Sequence, residues 1–303
     1  MDHTDEPIGT ERTAVIIATS GRPAIVGQLV EILRDQTQPP DHVFVVAAKP
    51  ADVSGLNVGQ GQVTAIVGRP GSSSQRNDGL DLAGSRFSQI VFFDDDFIPS
   101  RFWLERLTRL FRSRPDVSGV TGTLLRDGAP TAGIALAEAQ AIVATRDADP
   151  VGDEALHEPV GWGGNTGCNM AFRHSAIRDL RFDEHLPGYA WLEDADFRGQ
   201  VVRRGRFVRA DALWGVHLGH KAGRSRGVPL GYSQIANSVY LARKGTVPAP
   251  YLARLAVRNV ISNLVHSVLP APFIDHRGRL MGNLIALADL VLCRISPERM
   301  LGL

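Results

Sequence analysis

Residues 89–96 read QIVFFDDD. A β-branched and aromatic run that opens straight into three carboxylates predicts a strand buried on both faces, ending where a sheet meets solvent. The same kind of run precedes it three times, at Thr13–Thr19 (TAVIIAT), His42–Ala48 (HVFVVAA) and Val63–Val67. Between these runs, Ile25, Leu29, Ile32 and Leu33 fall at helical spacing over Ala24–Arg34, with Pro23 suited to the first turn and Pro39-Pro40 stopping the helix. Gln75–Leu82 reads as a second helix. Ser100 is placed to cap a third, which carries Phe102, Leu104, Leu107, Leu110 and Phe111. Strand-helix alternation with near-continuous apolar strands predicts an α/β fold: a mostly parallel sheet with helices on both faces. Ligands of such sheets sit at the strands' carboxyl ends, so the acidic triplet falls at the expected mouth.

Beyond Pro115 the rhythm changes. Val117–Leu125 and Met170–Arg173 read as strands and Ser175–Leu180 as a short helix. Gly128–Pro159 is rich in Ala, Gly and Asp and weakly periodic, which predicts a mixed loop-and-helix insertion, and Gly161–Gly167 (GWGGNTG) predicts a glycine-rich loop. Leu192–Arg204 predicts a helix with Glu193, Asp194 and Asp196 in its first turn, and Phe207–Val216 a kinked strand followed by His217. Leu252, Ala256, Val260, Leu264 and Val268 recur every fourth residue, with Arg254, Arg258 and Asn259 off that stripe, as in an amphipathic helix. A nearly apolar helix follows over Arg279–Cys293. The expected organisation is a polar tail (1–12), an α/β domain (13–245) and a helical region (246–303) entered through GTVPAP.

The 303 residues correspond to one large domain or two small ones. With 33 Lys and Arg against 32 Asp and Glu, the balance gives no case for a nucleic-acid partner. Cys168 and Cys293 stand in no metal-like spacing, as expected of unpaired thiols in a reducing compartment. The start, MDHTDEPIGTER, has no apolar run, so no secretory signal is expected. Leu280–Leu292 is interrupted by Asn283 and Asp289 and is shorter than the ~20 residues of a spanning helix, which favours a cytoplasmic protein.

Three adjacent aspartates repel one another, and a divalent cation relieves that repulsion through the hard oxygen ligands it prefers. A solvated acidic turn is the alternative, but a position at the mouth of a sheet favours the cation. Glu193 and Asp194 follow Tyr189 and Trp191, a combination suited to a sugar, with rings to stack and carboxylates to accept hydroxyl hydrogens; complementarity to a helix N-terminus is the plainer reading. His217 follows Asp194 by 23 residues, across a helix-strand hairpin that can return it to the same mouth. Carboxylates with one imidazole suit Mn2+ better than Mg2+. Arg76, opening a helix in SSSQRNDGL, could meet phosphate, and Lys221, Arg224 and Arg226 form a glycine-flanked basic segment that reads equally as a pyrophosphate clamp or a solvated loop.

Taken in order, ATSGRP, SQRNDGL, FFDDDFIP, GCNMAFRHSAI, RFDEHL, WLEDADFRGQVVRRGRF and GVHLGH resemble the inverting family-2 glycosyltransferases over about residues 13–245. The stretch HRGRLMGNLIALADLV resembles bacterial members that build cell-wall or capsular polysaccharide. The resemblance implies the Rossmann-like GT-A fold, with residues 13–125 as the nucleotide-sugar half and 126–245 as the acceptor half. It implies that Asp94 and Asp96 are the ends of a DXD motif on a Mn2+ or Mg2+ ion, that Asp95 lies near the ribose, and that His217 is the third ligand, with His220 as second choice. It further implies Asp194 as general base, Glu193 and Trp191 at a sugar, Thr19, Ser20 and Arg22 at the nucleotide, and Arg76 at base or phosphate. The partners implied are a nucleoside-diphosphate sugar and a glycan or lipid-linked acceptor. One departure is that the second strand ends Ala47-Ala48-Lys49, where the family commonly has acids that hold the base and ribose, so Asp52 is the expected substitute and the base stays open.

Two other functions use similar residues. A glycoside hydrolase also works through two carboxylates, without metal or nucleotide. A non-catalytic module could bind glycan or scaffold a polymer-building complex, although the intact acidic motifs favour an enzyme. For the C-terminal helices, packing within the protein or in a homo-oligomer stands beside peripheral contact with the inner face of the membrane.

Overall fold

In the computed structural model, which describes residues 11–58, 61–149, 155–157, 162, 167–220, 227–269 and 272–303, the three parallel strands β1 (Thr13–Thr19), β2 (His42–Ala47) and β3 (Val63–Val67) form one wing of a sheet. Helices α1 (Pro23–Arg34) and α2 (Ser72–Ala83) connect them to each other and to β4 (Gln89–Asp94), which pairs parallel with the other side of β1. The sequence of strands along the sheet therefore reverses between β1 and β4, which opens a crevice at their carboxyl ends, beyond Thr19 and Asp94.

The second half is a mixture of parallel and antiparallel pairs. Short β5 (Phe97–Pro99) and helix α3 (Trp103–Ser113) lead to β6 (Val117–Asp127), helix α4 (Leu136–Asp147), β7 (Leu156–His157) and β8 (Asn169–Arg173). Short α5 (His174–Ile177) and α6 (Glu193–Val201) precede the long β9 (Arg206–His217). The order among the described residues is β3-β2-β1-β4-β8-β6-β9-β5, with β7 on β9. Strand β8 runs antiparallel to both neighbours, while β6 and β9 are parallel with register shifts, the irregularity expected of a kinked strand. Ser100 accepts the Phe102 N–H at its Oγ, just ahead of α3, so its capping works one residue before the helix proper.

Alternation along buried strands divides the core between two faces. Val15, Ile17 and Phe93 pack with Leu29, Leu33, Trp103 and Leu107 on one side. Ile16 and Phe92 pack with Phe172, Phe182 and Phe197 on the other. Phe197 belongs to α6 and stacks on Phe182 with centroids 4.1 Å apart, which anchors that helix with its N-terminus at the crevice.

Three helices complete the chain: α7 (Gly227–Lys244), α8 (Ala249–Val268) and α9 (His276–Val291). The first was not expected, because Gly227, Pro229, Gly231, Ser233, Asn237 and Ser238 blur its apolar period, yet those small residues permit close packing. A Cβ on Gly282 of α9 would lie 2.1 Å from the Val228 carbonyl oxygen of α7. The interior of this unit is unusually polar: Asn263 donates to Gln234 and Asn283 at 2.9 and 2.8 Å, and Asp289 accepts from Tyr232 at 3.0 Å. The every-fourth-residue stripe on α8 does not hold as a buried face. Four-residue steps advance about 400° around a helix, so the stripe drifts about 40° per step, and from buried Leu252 it reaches Leu264 and Val268 at 54% and 75% exposure. Among the described residues no helix is long and apolar enough to cross a membrane. The tail through Thr10, the basic segment with Lys221, Arg224 and Arg226, and most of the glycine-rich loop lie outside the described residues.

Candidate active site

The crevice is a cleft of about 770 Å³, lined from β1, β4, the first turn of α6, the end of β9 and one face of α8. Asp94 and Asp95 of the acidic triplet line its floor, and Asp96 is buried. After Asp94 the chain turns and enters β5, whose antiparallel register sets Phe97 opposite His217 on β9. That pairing brings the imidazole to the turn, with Nε2 3.3 Å from Asp96 Oδ1 and Nδ1 2.7 Å from Asp127 Oδ1. Ligand atoms of Asp94, Asp96 and His217 all lie within 4.8 Å of one another, a donor set of two carboxylates and one imidazole. Burial disfavours the imidazolium, but the flanking Asp127 and Asp96 outweigh it and raise His217 to about 10. Burial likewise works against the Asp96 carboxylate. His217, Arg22 and the His220 backbone N–H prevail and hold its pKa well below the ordinary range. His220 thus serves this site through its backbone, donating to Asp96 Oδ2 at 2.8 Å, and its ring is not part of the three-residue group.

Asp95 points the other way. It accepts from Thr19 Oγ1 at 2.7 Å and Arg22 Nη1 at 2.6 Å, and burial pushes it up to about 7 against the pull of Arg22. These bonds tie the β1 loop to the β4 turn. Thr19, Ser20 and Arg22 all line the cleft, but the Thr19 hydroxyl is committed to Asp95. Asp52 does not stand in for the acids missing after β2. Its carboxylate accepts the N–H groups of Gly21 and Lys49, at 2.8 and 3.0 Å, and it is not among the lining residues, whereas Ala48 and Lys49 are.

Arg76 also lines the cleft. Its side chain is 4% exposed and bridges Asp94, at 2.8 Å, and Glu193, which joins the two acidic motifs. Burial pushes Glu193 up to about 8 even against Arg76, and its Oε2 has no hydrogen-bond partner among the described residues. The Trp191 indole Nε1 is in the same condition. Both atoms are buried polar groups without a partner among the described residues, on two residues that line the cleft.

Asp194 follows at the start of α6, lining the cleft against Gly167, where a Cβ would meet the Asp194 carboxylate at 3.0 Å. Burial raises its pKa, partly offset by the Ala195 N–H and Arg76. The structure therefore brings Asp94, His217, Glu193, Asp194 and Trp191 to one cavity, with buried Asp96 reached through His217 at 3.3 Å. Sequence reading missed the α8 wall, formed by Tyr251, Arg254, Leu255 and Arg258. Their spacing of three, one and three residues was the available signal, since it marks one helical face.

In an open α/β sheet, a crevice at the switch point, here bearing carboxylates and an imidazole, is where ligands bind. Residues 11–149 match the family profile described as Glycosyltransferase like family 2. No curated protein matches it in sequence. Among solved structures, S. aureus TarS 1-349 is 14% identical with a TM-score of 0.56, covering 95% of this chain and 82% of that one. The mannosyltransferase PcManGT from Pyrobaculum calidifontis, in complex with GDP-Man and Mn2+, is 16% identical with a TM-score of 0.55, covering 95% and 88%. Glucosyl-3-phosphoglycerate synthase from Mycobacterium tuberculosis, in complex with Mn2+, UDP and glucosyl-3-phosphoglycerate, is 17% identical with a TM-score of 0.50, covering 78% and 81%. At these identities the likeness is one of fold, the Rossmann-like GT-A arrangement.

Proposed function

We propose that the protein is an inverting, metal-dependent glycosyltransferase that moves a sugar from a nucleoside-diphosphate sugar to a hydroxyl of a glycan or lipid-linked acceptor in bacterial surface-polysaccharide or glycoconjugate synthesis. The observation that carries this reading is the meeting of Asp94, Asp96 and His217, within 4.8 Å of one another, beside a cleft that Asp94, His217 and Asp194 all line. Those three side chains fit a Mn2+ ion, with Mg2+ as the harder alternative, and the fold relatives with GDP-Man or UDP carry Mn2+ in their complexes. When bound there, the ion supplies Lewis-acid stabilisation of the departing diphosphate. His217 enters such a ligand set neutral, so loading releases its proton.

The chain's own residues do the rest. Arg22 and Arg76 hold the acidic turns in place before any ligand arrives. Glu193 Oε2 and Trp191 Nε1 orient sugar hydroxyls. Asp194, its carboxylate basicity raised by burial, takes the acceptor hydroxyl's proton as the oxygen attacks the anomeric carbon. A single displacement inverts that centre and needs no enzyme nucleophile. The exposed apolar faces of α8 and α9, including Val257, Ile261, Met281 and Val291, favour peripheral membrane contact over an entirely internal role for these helices.

A thermal-shift panel of nucleoside diphosphates and sugar nucleotides, with and without Mn2+, tests the reading. Stabilisation by at least one nucleotide only when Mn2+ is present is expected; indifference to all of them would remove the donor assignment.

A further inference from the structure

Helix α8 carries a stripe to which the reading above gives no role. Tyr251, Arg254, Arg258, Ile261, Val265 and Val268 follow at steps of three, four, three, four and three residues, which keeps them on one helical face. The first three line the cleft, and Tyr251 lies within electrostatic reach of Asp194 and Arg258. The last three are 55%, 46% and 75% exposed. The stripe is aromatic and basic inside the site and becomes apolar as it leaves.

Arg254 and Arg258 are exposed, and among the described residues neither has a carboxylate within ion-pair distance. They differ in this from Arg22 and Arg76 on the floor, which are paired with Asp95, Asp96, Asp94 and Glu193. Two guanidinium groups one turn apart repel unless an anion sits between them, and their N–H forks match phosphate oxygens. A neutral hydroxyl provides no such charge. From Arg258 to Val268 the helix rises about 15 Å, enough to lie along the proximal part of a hydrocarbon chain.

We propose that the acceptor is a phosphate-bearing lipid. Arg254 and Arg258 hold its phosphate, Ile261, Val265 and Val268 receive its hydrocarbon, and the hydroxyl to be glycosylated is thereby presented to Asp194. This rests on the transferase reading above and specifies its acceptor.

The test uses the full chain with Mn2+ and a nucleoside diphosphate. Flotation with phosphatidylcholine vesicles, with or without phosphatidic acid, reads the lipid-borne phosphate; competition by inorganic phosphate reads the free anion. The wild type is expected to float with the phosphatidic acid vesicles and not with phosphatidylcholine alone. Arg254→Gln/Arg258→Gln is expected to weaken that association at least about tenfold, the effect of ~1.4 kcal/mol of lost contact. Ile261→Asn/Val265→Asn is expected to weaken flotation without changing competition by inorganic phosphate. All four positions are exposed, and thermal melts confirm that both variants fold. Equal flotation of the arginine variant and the wild type overturns the proposal. Flotation of the wild type on both vesicles alike also overturns it. Arginine-dependent binding of inorganic phosphate with undiminished flotation of the Ile261/Val265 variant overturns the lipid assignment in favour of a soluble phosphorylated acceptor. Nucleotide affinity on the same samples separates the failures: no Mn2+-dependent nucleotide binding sinks the transferase reading, whereas intact binding with arginine-independent flotation sinks the acceptor alone.

Discussion

Arg76 and Glu193, 117 residues apart in the chain, form a buried ion pair on the cleft floor. Arg76 also holds Asp94, so one guanidinium links the motif after β4 to the motif that opens α6. Removing one partner of a buried pair leaves the other desolvated and uncompensated, typically at about 3–5 kcal/mol. Arg76→Met is expected to lower the urea midpoint by a corresponding amount, and Arg76→Met/Glu193→Gln to recover part of the loss. An unchanged midpoint in the single variant would mean that the pair is not formed in solution.

Asp194→Asn retains the shape and the backbone contacts of the residue but removes the base. Proton abstraction by a placed carboxylate contributes typically ~10²- to 10⁴-fold. Turnover is expected to fall by that factor while nucleotide affinity stays near wild type. In the unmodified protein, the acid limb of the rate profile is expected above the ordinary carboxylate range, because burial raises Asp194. Near-wild-type turnover in the variant would remove the residue from the base role.

The two histidines at the end of β9 and just beyond it separate cleanly. His217 offers its ring to the Asp94 and Asp96 group, whereas His220 offers a backbone N–H that any residue supplies. His217→Ala is expected to weaken Mn2+ binding at least about tenfold, the lower end of the scale for losing a group that merely orients a ligand, and His220→Ala to leave it within a factor of about two, since the tie to Asp96 is kept. Isothermal titration with Mn2+ and nucleoside diphosphate distinguishes them, and the reverse ranking would contradict the ligand assignment.

The legibility of this chain follows the range of its interactions. Strands β1, β2 and β4 announce themselves because each is buried on both faces and so is apolar at nearly every position, whereas edge strand β3 fully buries only Val63. The acidic floor is legible from the position of Asp94 at the end of one of them. His217 is reachable by a topological argument, since β9 must return to the sheet. Arg76 is not legible, because its partners are brought to it only by the sheet and α6. Helix α7 is hidden by Gly227, Pro229 and Gly231, residues selected by close helix packing rather than helical propensity. In α8 and α9 polarity runs against the usual pattern: Asn263, Asn283 and Asp289 are buried while Val268 and Val291 are exposed, so period alone assigns the wrong face inward.

Asp183 supplies a pH test of how the segment before α6 is held to α7. Its carboxylate accepts from Lys244 Nζ at 2.6 Å and from the Tyr240 hydroxyl at 2.8 Å. Burial opposes the charged form, but these two donors and the His185 backbone N–H outweigh it and lower the pKa. A carboxyl whose folded value lies below its unfolded one contributes stability that is fully present above the unfolded pKa, about 4. That contribution is lost as pH falls through the folded value. Asp183→Asn is therefore expected to be less stable than the wild type at neutral pH, with the gap narrowing steadily below pH ~4 as the native carboxyl takes up its proton. Urea unfolding at a series of pH values measures the gap. A difference that stays constant down the acid range would mean that the variant acts through packing, and that the Lys244 pairing contributes no charge-dependent stability.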